Sequence, residues 1–260
     1  MIKVRQTASG HPAKTDRLLT QAMFVPIYDK NPLKSIHFQY VTVGLIVINV
    51  AIYFLFVTTL FLSVQEYLVD YSLIPVQFLG GVKLFTSGSL WLEDPLPMAE
   101  QFTIVSYMFV HGSALHLLGN MLFLWVFGDN VEDAMGHLRF LLFYLMCGIF
   151  AGLLHSLVMH NSNIPLIGAS GSVAGIVAAY LMLHPKVKIW VLALWRIPLK
   201  ISAMWALGFW VLLQLFSALT TSGEGIAWWA HVGGLAAGAV LILFMRRPGV
   251  QLFDQTQGGA

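Results

Sequence analysis

Apolar runs long enough to cross a bilayer recur six times along the chain, and that repetition leaves few folds open. They are Tyr40–Leu62, Ser113–Val131, Leu138–Val158, Ser170–Leu183, Lys200–Leu219 and Trp229–Phe244. About 20 apolar residues in a helix cover a hydrocarbon layer of roughly 30 Å. Lipid offers no partner to backbone N–H and C=O groups, so each run is predicted to be helical. Few soluble domains are 58% hydrophobic and only 10% charged, with a mean hydropathy of +0.77. The expected fold class is therefore all-α, a polytopic membrane protein with a six-transmembrane-helix bundle over residues 40–246. Residues 1–39 and 247–260 are read as tails. The first is polar and mixed, carries Pro12, Pro26 and Pro32, and is expected to be a tail or a small, weakly structured extension.

Charge sets the direction of the spans. With six of them, the even-numbered connections and both tails share one side. That side holds 13 of the 14 lysines and arginines: six in the first tail, then Arg139, Lys186, Lys188, Arg196, Lys200, Arg246 and Arg247. Lys83 alone lies on the other side, with Glu66, Asp70, Glu93, Asp94, Glu100 and Glu224. Both termini are thus expected in the cytoplasm. The first tail lacks the apolar core of a cleaved signal peptide, and the absence of a targeting presequence favours a bacterial inner (plasma) membrane. The long first connection, 63–101, alternates apolar and acidic stretches. It suits either a segment lying in the outer interface or an external loop packed on the bundle.

The fourth run is the outlier. At about 1.5 Å per residue its 14 residues reach only some 21 Å. Ser170, at its start in the stretch LIGASGSVAGIV, is then expected about 10 Å below the outer surface. Runs two, four and six all enter from that side, so their first residues share one depth. Run two supplies His116 and Asn120 at i and i+4, on one helical face. Run six supplies His231. Polar groups inside a membrane usually face the bundle interior and mark function. Each alone could be helix glue or an interfacial anchor; four at one depth from three alternate helices form a candidate site.

Small residues favour the same convergence. Gly171, Ala174 or Gly175, and Ala178 line one face of run four, and Gly234 and Gly238 form a GxxxG pattern below His231. Such faces permit close backbone approach. The Ser170 hydroxyl is thereby expected within reach of His231, as nucleophile and general base. Asn120, His116 and the free N–H groups at the head of run four are candidates to hold an oxyanion. No acid lies at this depth and nothing positions Glu224, so a dyad is expected. The pattern also differs from the G-x-S-x-G elbow of soluble hydrolases, because Ser172 follows Gly171. Cys147 is the single cysteine and no histidine–cysteine grouping has metal-ligand spacing, so no disulfide, metal or cofactor is expected.

These motifs resemble those of rhomboid intramembrane serine proteases of the prokaryotic, six-helix type. GASG at 168–171 is similar to the family's nucleophile motif, HGSALHLLGN at 111–120 to its second-helix motif, and AHVGGLAAG at 230–238 to its histidine and GxxxG motif. GDNVEDAMG at 128–136 is similar to the pattern around the family's cytosolic-side glutamate, here Glu132. The resemblance covers residues 98–246. It implies a water-filled cavity open to the outside and cleavage of transmembrane or membrane-anchored substrates near the outer face, without metal or cofactor. Ser170 would be the nucleophile and His231 the base, Asn120 and His116 would aid the oxyanion, and His111 would be structural and water-holding. The expected partners are transmembrane protein substrates and the lipid bilayer, not nucleic acid. Two positions depart from the family pattern. The Trp-Arg pair of the first loop is absent, with QFT following Glu100. Ala174 stands where many members carry an aromatic that packs on the histidine, which leaves open what orients His231.

Two other readings compete. An inactive rhomboid-like protein that binds membrane clients would have no need of both Ser170 and His231. A transporter or channel would carry its polar residues onward to the cytoplasmic side, and no such trail continues.

Overall fold

The computed structural model describes residues 24–58, 68, 70–80, 100–193, 196–220 and 226–254. Glu224, most of the acidic part of the first connection, the first 23 residues and the last six lie outside the described residues. The helices are α1 (Tyr40–Thr58), the short α2 (Pro75–Gly80) and α3 (Thr103–Ser106), α4 (Ala114–Met135), α5 (His137–Val158), α6 (Ser170–Leu183), α7 (Ala203–Thr220) and α8 (Trp228–Met245). Four of them, α1, α5, α7 and α8, are long and apolar enough to cross a membrane. A fifth span is reached if α4 is counted with the turns at Glu100–Phe109, to which it is bent by 79°. The chain is a helical, polytopic integral membrane protein.

Residue size decides which helix sits in the middle. Every residue of α6 from Gly171 to Tyr180 is buried, and α8, α5, α4 and α7 all pack on it. A run of Gly, Ser, Ala and Val lets those helices come close. Bulky apolar side chains point the other way, with Trp205, Leu212, Phe216 and Leu219 of α7 and Phe244 of α8 all well exposed. Small residues along the central helix and large apolar ones on the rim suit a bundle surrounded by lipid, with Tyr107, Tyr144, Tyr180, Phe127, Phe140 and Phe143 filling the remaining core.

At the end of the bundle away from Ser170, one carboxylate caps a helix and the next holds the bend that precedes it. Glu132 of α4 is fully buried. It accepts from the N–H groups of Val41 and Thr42 at 3.0 and 2.8 Å, from the Thr42 hydroxyl at 2.7 Å, and pairs with His137 at 2.5 Å. α1 has no acid in its own first turn, so Glu132 satisfies its orphan donors and complements its dipole. Next to it, Asp133 accepts from the N–H groups of Lys34, Ser35 and Ile36.

A three-stranded antiparallel sheet is the main departure from the all-helical expectation. β1 (Phe24–Asp29) comes from the segment read as a weakly structured extension, and β2 (Lys188–Ala193) and β3 (Ile197–Ser202) form a hairpin before α7. Lys200 therefore lies within β3, opposite Trp190, rather than starting a helix. Pro26 and Pro198 both sit on edge strands, where a missing N–H costs least. The Tyr180 hydroxyl donates to Asp29 at 2.5 Å and ties β1 to α6.

The described part of the first connection packs on the bundle. Ser72, Leu73, Ile74 and Gln77 are buried, and Leu73 bridges Leu166 in the loop that leads to Ser170.

Candidate active site

Ser170 is the first residue of α6, and the chain reaches it through an unusual turn. Gly168 has φ +107° and donates its N–H to Tyr107 O at 2.8 Å. A Cβ at Gly168 would lie 2.6 Å from His116 Nε2, so only glycine permits both this backbone and that neighbour. No side chain caps α6. Its first backbone bond runs from Val173 N–H to Ala169 O. The N–H groups of Ser170, Gly171 and Ser172 consequently have no acceptor inside the helix.

His231 lies in the first turn of α8, and its Nε2 is 2.9 Å from Ser170 Oγ. Backbone contact between the helices sets this distance. A Cβ on Gly234 would stand 1.9 Å from Gly171 O, and one on Gly238 2.2 Å from Gly175 O. The two glycines of α8 thus lie directly on the α6 backbone, one residue past Ser170 and one turn further down.

His116 and Asn120 meet the loop just before Ser170. Asn120 is buried and its Nδ2 is 3.1 Å from His111 Nε2, while the rings of His111 and His116 meet edge-on at 5.1 Å. An ideal Cβ on Gly168 would lie 3.4 Å from Asn120 Nδ2, so both side chains of α4 flank the turn two residues ahead of Ser170. The Ser113 hydroxyl accepts from the His116 N–H at 3.2 Å and fixes the start of α4.

Three residues around the imidazole were not singled out from the sequence. Gln214 of α7 places Oε1 2.7 Å from His231 Nδ1. Trp210, one turn earlier on α7, stacks on the ring at 6.3 Å and 29°, and Trp228 meets it edge-on at 6.0 Å. These indoles flank the histidine where Ala174 offers no aromatic. The signal for Gln214 was present, because a lone amide in WVLLQLF is a polar group inside an apolar span. Its i−4 relation to Trp210 puts both on one face.

The chain is similar to known proteins over the part that carries these residues. A family model described as Rhomboid domain matches residues 99–248. Rhomboid-like protein 11, chloroplastic, of Arabidopsis thaliana is 29% identical over 171 residues, 61% of this chain and 57% of that protein. Rhomboid protease GlpG of Klebsiella pneumoniae is 28% identical over 155 residues, 58% of this chain and 51% of that protein. Presenilin-associated rhomboid-like protein A, mitochondrial, of Danio rerio is 28% identical over 164 residues, 60% and 39% of the two chains. The chain spans about half the length of the curated relatives it matches.

Proposed function

This chain belongs to the rhomboid family, and from that premise we propose that it is an intramembrane serine endopeptidase working by a Ser170–His231 dyad. The observation that carries the reading is the 2.9 Å separation of Ser170 Oγ and His231 Nε2, held by two helices in backbone contact. The Ser170 hydroxyl donates to Nε2, transfers its proton there as the oxygen attacks a peptide carbonyl, and leaves a tetrahedral oxyanion. His231 then returns the proton to the leaving amine, and water repeats the sequence on the acyl-enzyme. Asn120, His116 and the N–H groups of Ser170, Gly171 and Ser172, which have no acceptor inside the helix, are the donors proposed for the oxyanion.

The substrates on this reading are transmembrane or membrane-anchored proteins, cut near the outer face of the membrane. The proposed arrangement has six spans, with α4 and the short α6 among them. Both termini face the cytoplasm, on the strength of 13 basic residues to one. The proposed setting is a bacterial inner membrane. Reconstitution with a transmembrane substrate tests the activity: wild type should cleave it, while Ser170→Ala and His231→Ala, equally folded, should not. Terminal tags exposed to external protease in intact cells would refute the orientation.

A further inference from the structure

Resting on the protease reading, we propose that Gln214 is a positioning residue that sets the tautomer and the direction of the His231 ring. The amide oxygen Oε1, 2.7 Å from Nδ1, can only accept, so Nδ1 must carry the proton of the neutral imidazole. Nε2 is then left with its lone pair aimed at the Ser170 hydroxyl, 2.9 Å away. With the amide reversed, its NH2 would donate to Nδ1, the proton would sit on Nε2, and Ser170 would face no base. One orientation of one side chain therefore separates a competent dyad from an incompetent one.

The placement of Gln214 supports a specific task. It is only 6% exposed, while Leu212, Leu213, Leu215 and Phe216 around it are exposed on the outer face of α7. A lone amide turned inward from an apolar helix is costly unless it is hydrogen-bonded, and His231 is the partner it meets. Trp210, on the same face, stacks on the ring, so α7 supplies both the packing and the acceptor. A neutral amide also avoids the desolvation cost that a carboxylate would carry here. It holds the tautomer and accepts from the imidazolium during the reaction without a fixed negative charge. The titratable groups acting on the ring electrostatically are His116 of α4 and His155 of α5.

The test uses the full-length protein in detergent with one cleavable transmembrane peptide, together with the pH dependence of Ser170 labelling by a fluorophosphonate. Gln214→Met keeps the size and removes the acceptor. It should lower kcat roughly 10- to 100-fold, the usual worth of a hydrogen bond to a charged group, with KM unchanged. Gln214→Glu restores an acceptor, should recover most of that rate, and should move the acid limb of labelling to higher pH, because a carboxylate favours the imidazolium. Wild-type kcat in Gln214→Met, or a change confined to KM, would overturn the proposal. If Gln214→Met does not fold, an unmoved acid limb in Gln214→Glu overturns it instead. A wild type that neither cleaves nor labels defeats the protease reading itself, which is a different result from an active wild type indifferent to Gln214.

Discussion

Adding one methyl group at Gly234 should separate the two halves of the dyad. An ideal Cβ at this position lies 1.9 Å from Gly171 O, 2.8 Å from Gly171 C and 3.3 Å from Gly171 Cα. Carbon needs roughly 3 Å or more from a carbonyl oxygen, so α8 and α6 must part by about 1 Å. The obstruction is backbone on both sides, and no rotamer can relieve it. Overpacking of this kind costs about 1–3 kcal/mol. The catalytic consequence is larger, because Gly171 follows Ser170 directly and Gly234 lies one turn past His231. A hydrogen bond of 2.9 Å would lengthen to near 4 Å, beyond the reach of roughly 3.2 Å that proton transfer needs. Misplacement by about 1 Å can lower turnover on the order of 10²-fold. The assay is cleavage of a transmembrane peptide by purified Gly234→Ala protein, with thermal unfolding measured alongside. Gly208→Ala, on α7 with nothing within 4 Å of its new carbon, is the control: it should leave turnover unchanged and should not lower the melting temperature, since alanine is the better helix former. Wild-type turnover and an unshifted melting temperature in Gly234→Ala would refute the idea that this glycine sets the distance.

Other expectations follow from the same structure. Asn120→Ala should lower kcat by about 10²–10³ with little change in KM, because an oxyanion exists only in the transition state; a change in KM alone would make Asn120 helix glue. Asp29 is buried under Tyr180, and burial raises its pKa from 3.8 to about 6. The protonated form is thus favoured by folding. Its stabilisation should be complete below pH 3.8 and lost as pH rises through 6, a change of about 3 kcal/mol at 1.36 kcal/mol per unit. Thermal melts from pH 4 to 7 should show this slope in wild type and a flatter one in Asp29→Asn.

The sequence was most informative where lipid removed alternatives. α6 runs from Ser170 to Leu183, the bounds read from its run of small apolar residues, and the other long helices begin and end within a few residues of their runs. Ser170 and His231 could be brought together on paper because depth and glycine faces are local properties. The sheet was not legible, since β1 pairs with a strand some 160 residues later and KIWVLA reads as a continuous apolar run with no clear alternation. Trp210 was hidden for another reason. Its role depends on which face α7 turns inward, and Gln214 is the one polar residue of the stretch WVLLQLF that could mark the face.

The central claim is that the Ser170 hydroxyl is made nucleophilic by His231. Mass mapping of the wild-type protein after fluorophosphonate treatment, beside His231→Ala and Ser170→Ala, tests it most directly. The account predicts a single adduct on the peptide bearing Ser170, absent from Ser170→Ala and nearly absent from His231→Ala although that variant keeps the hydroxyl. An adduct on another serine, or one at Ser170 that forms equally fast without His231, would contradict it.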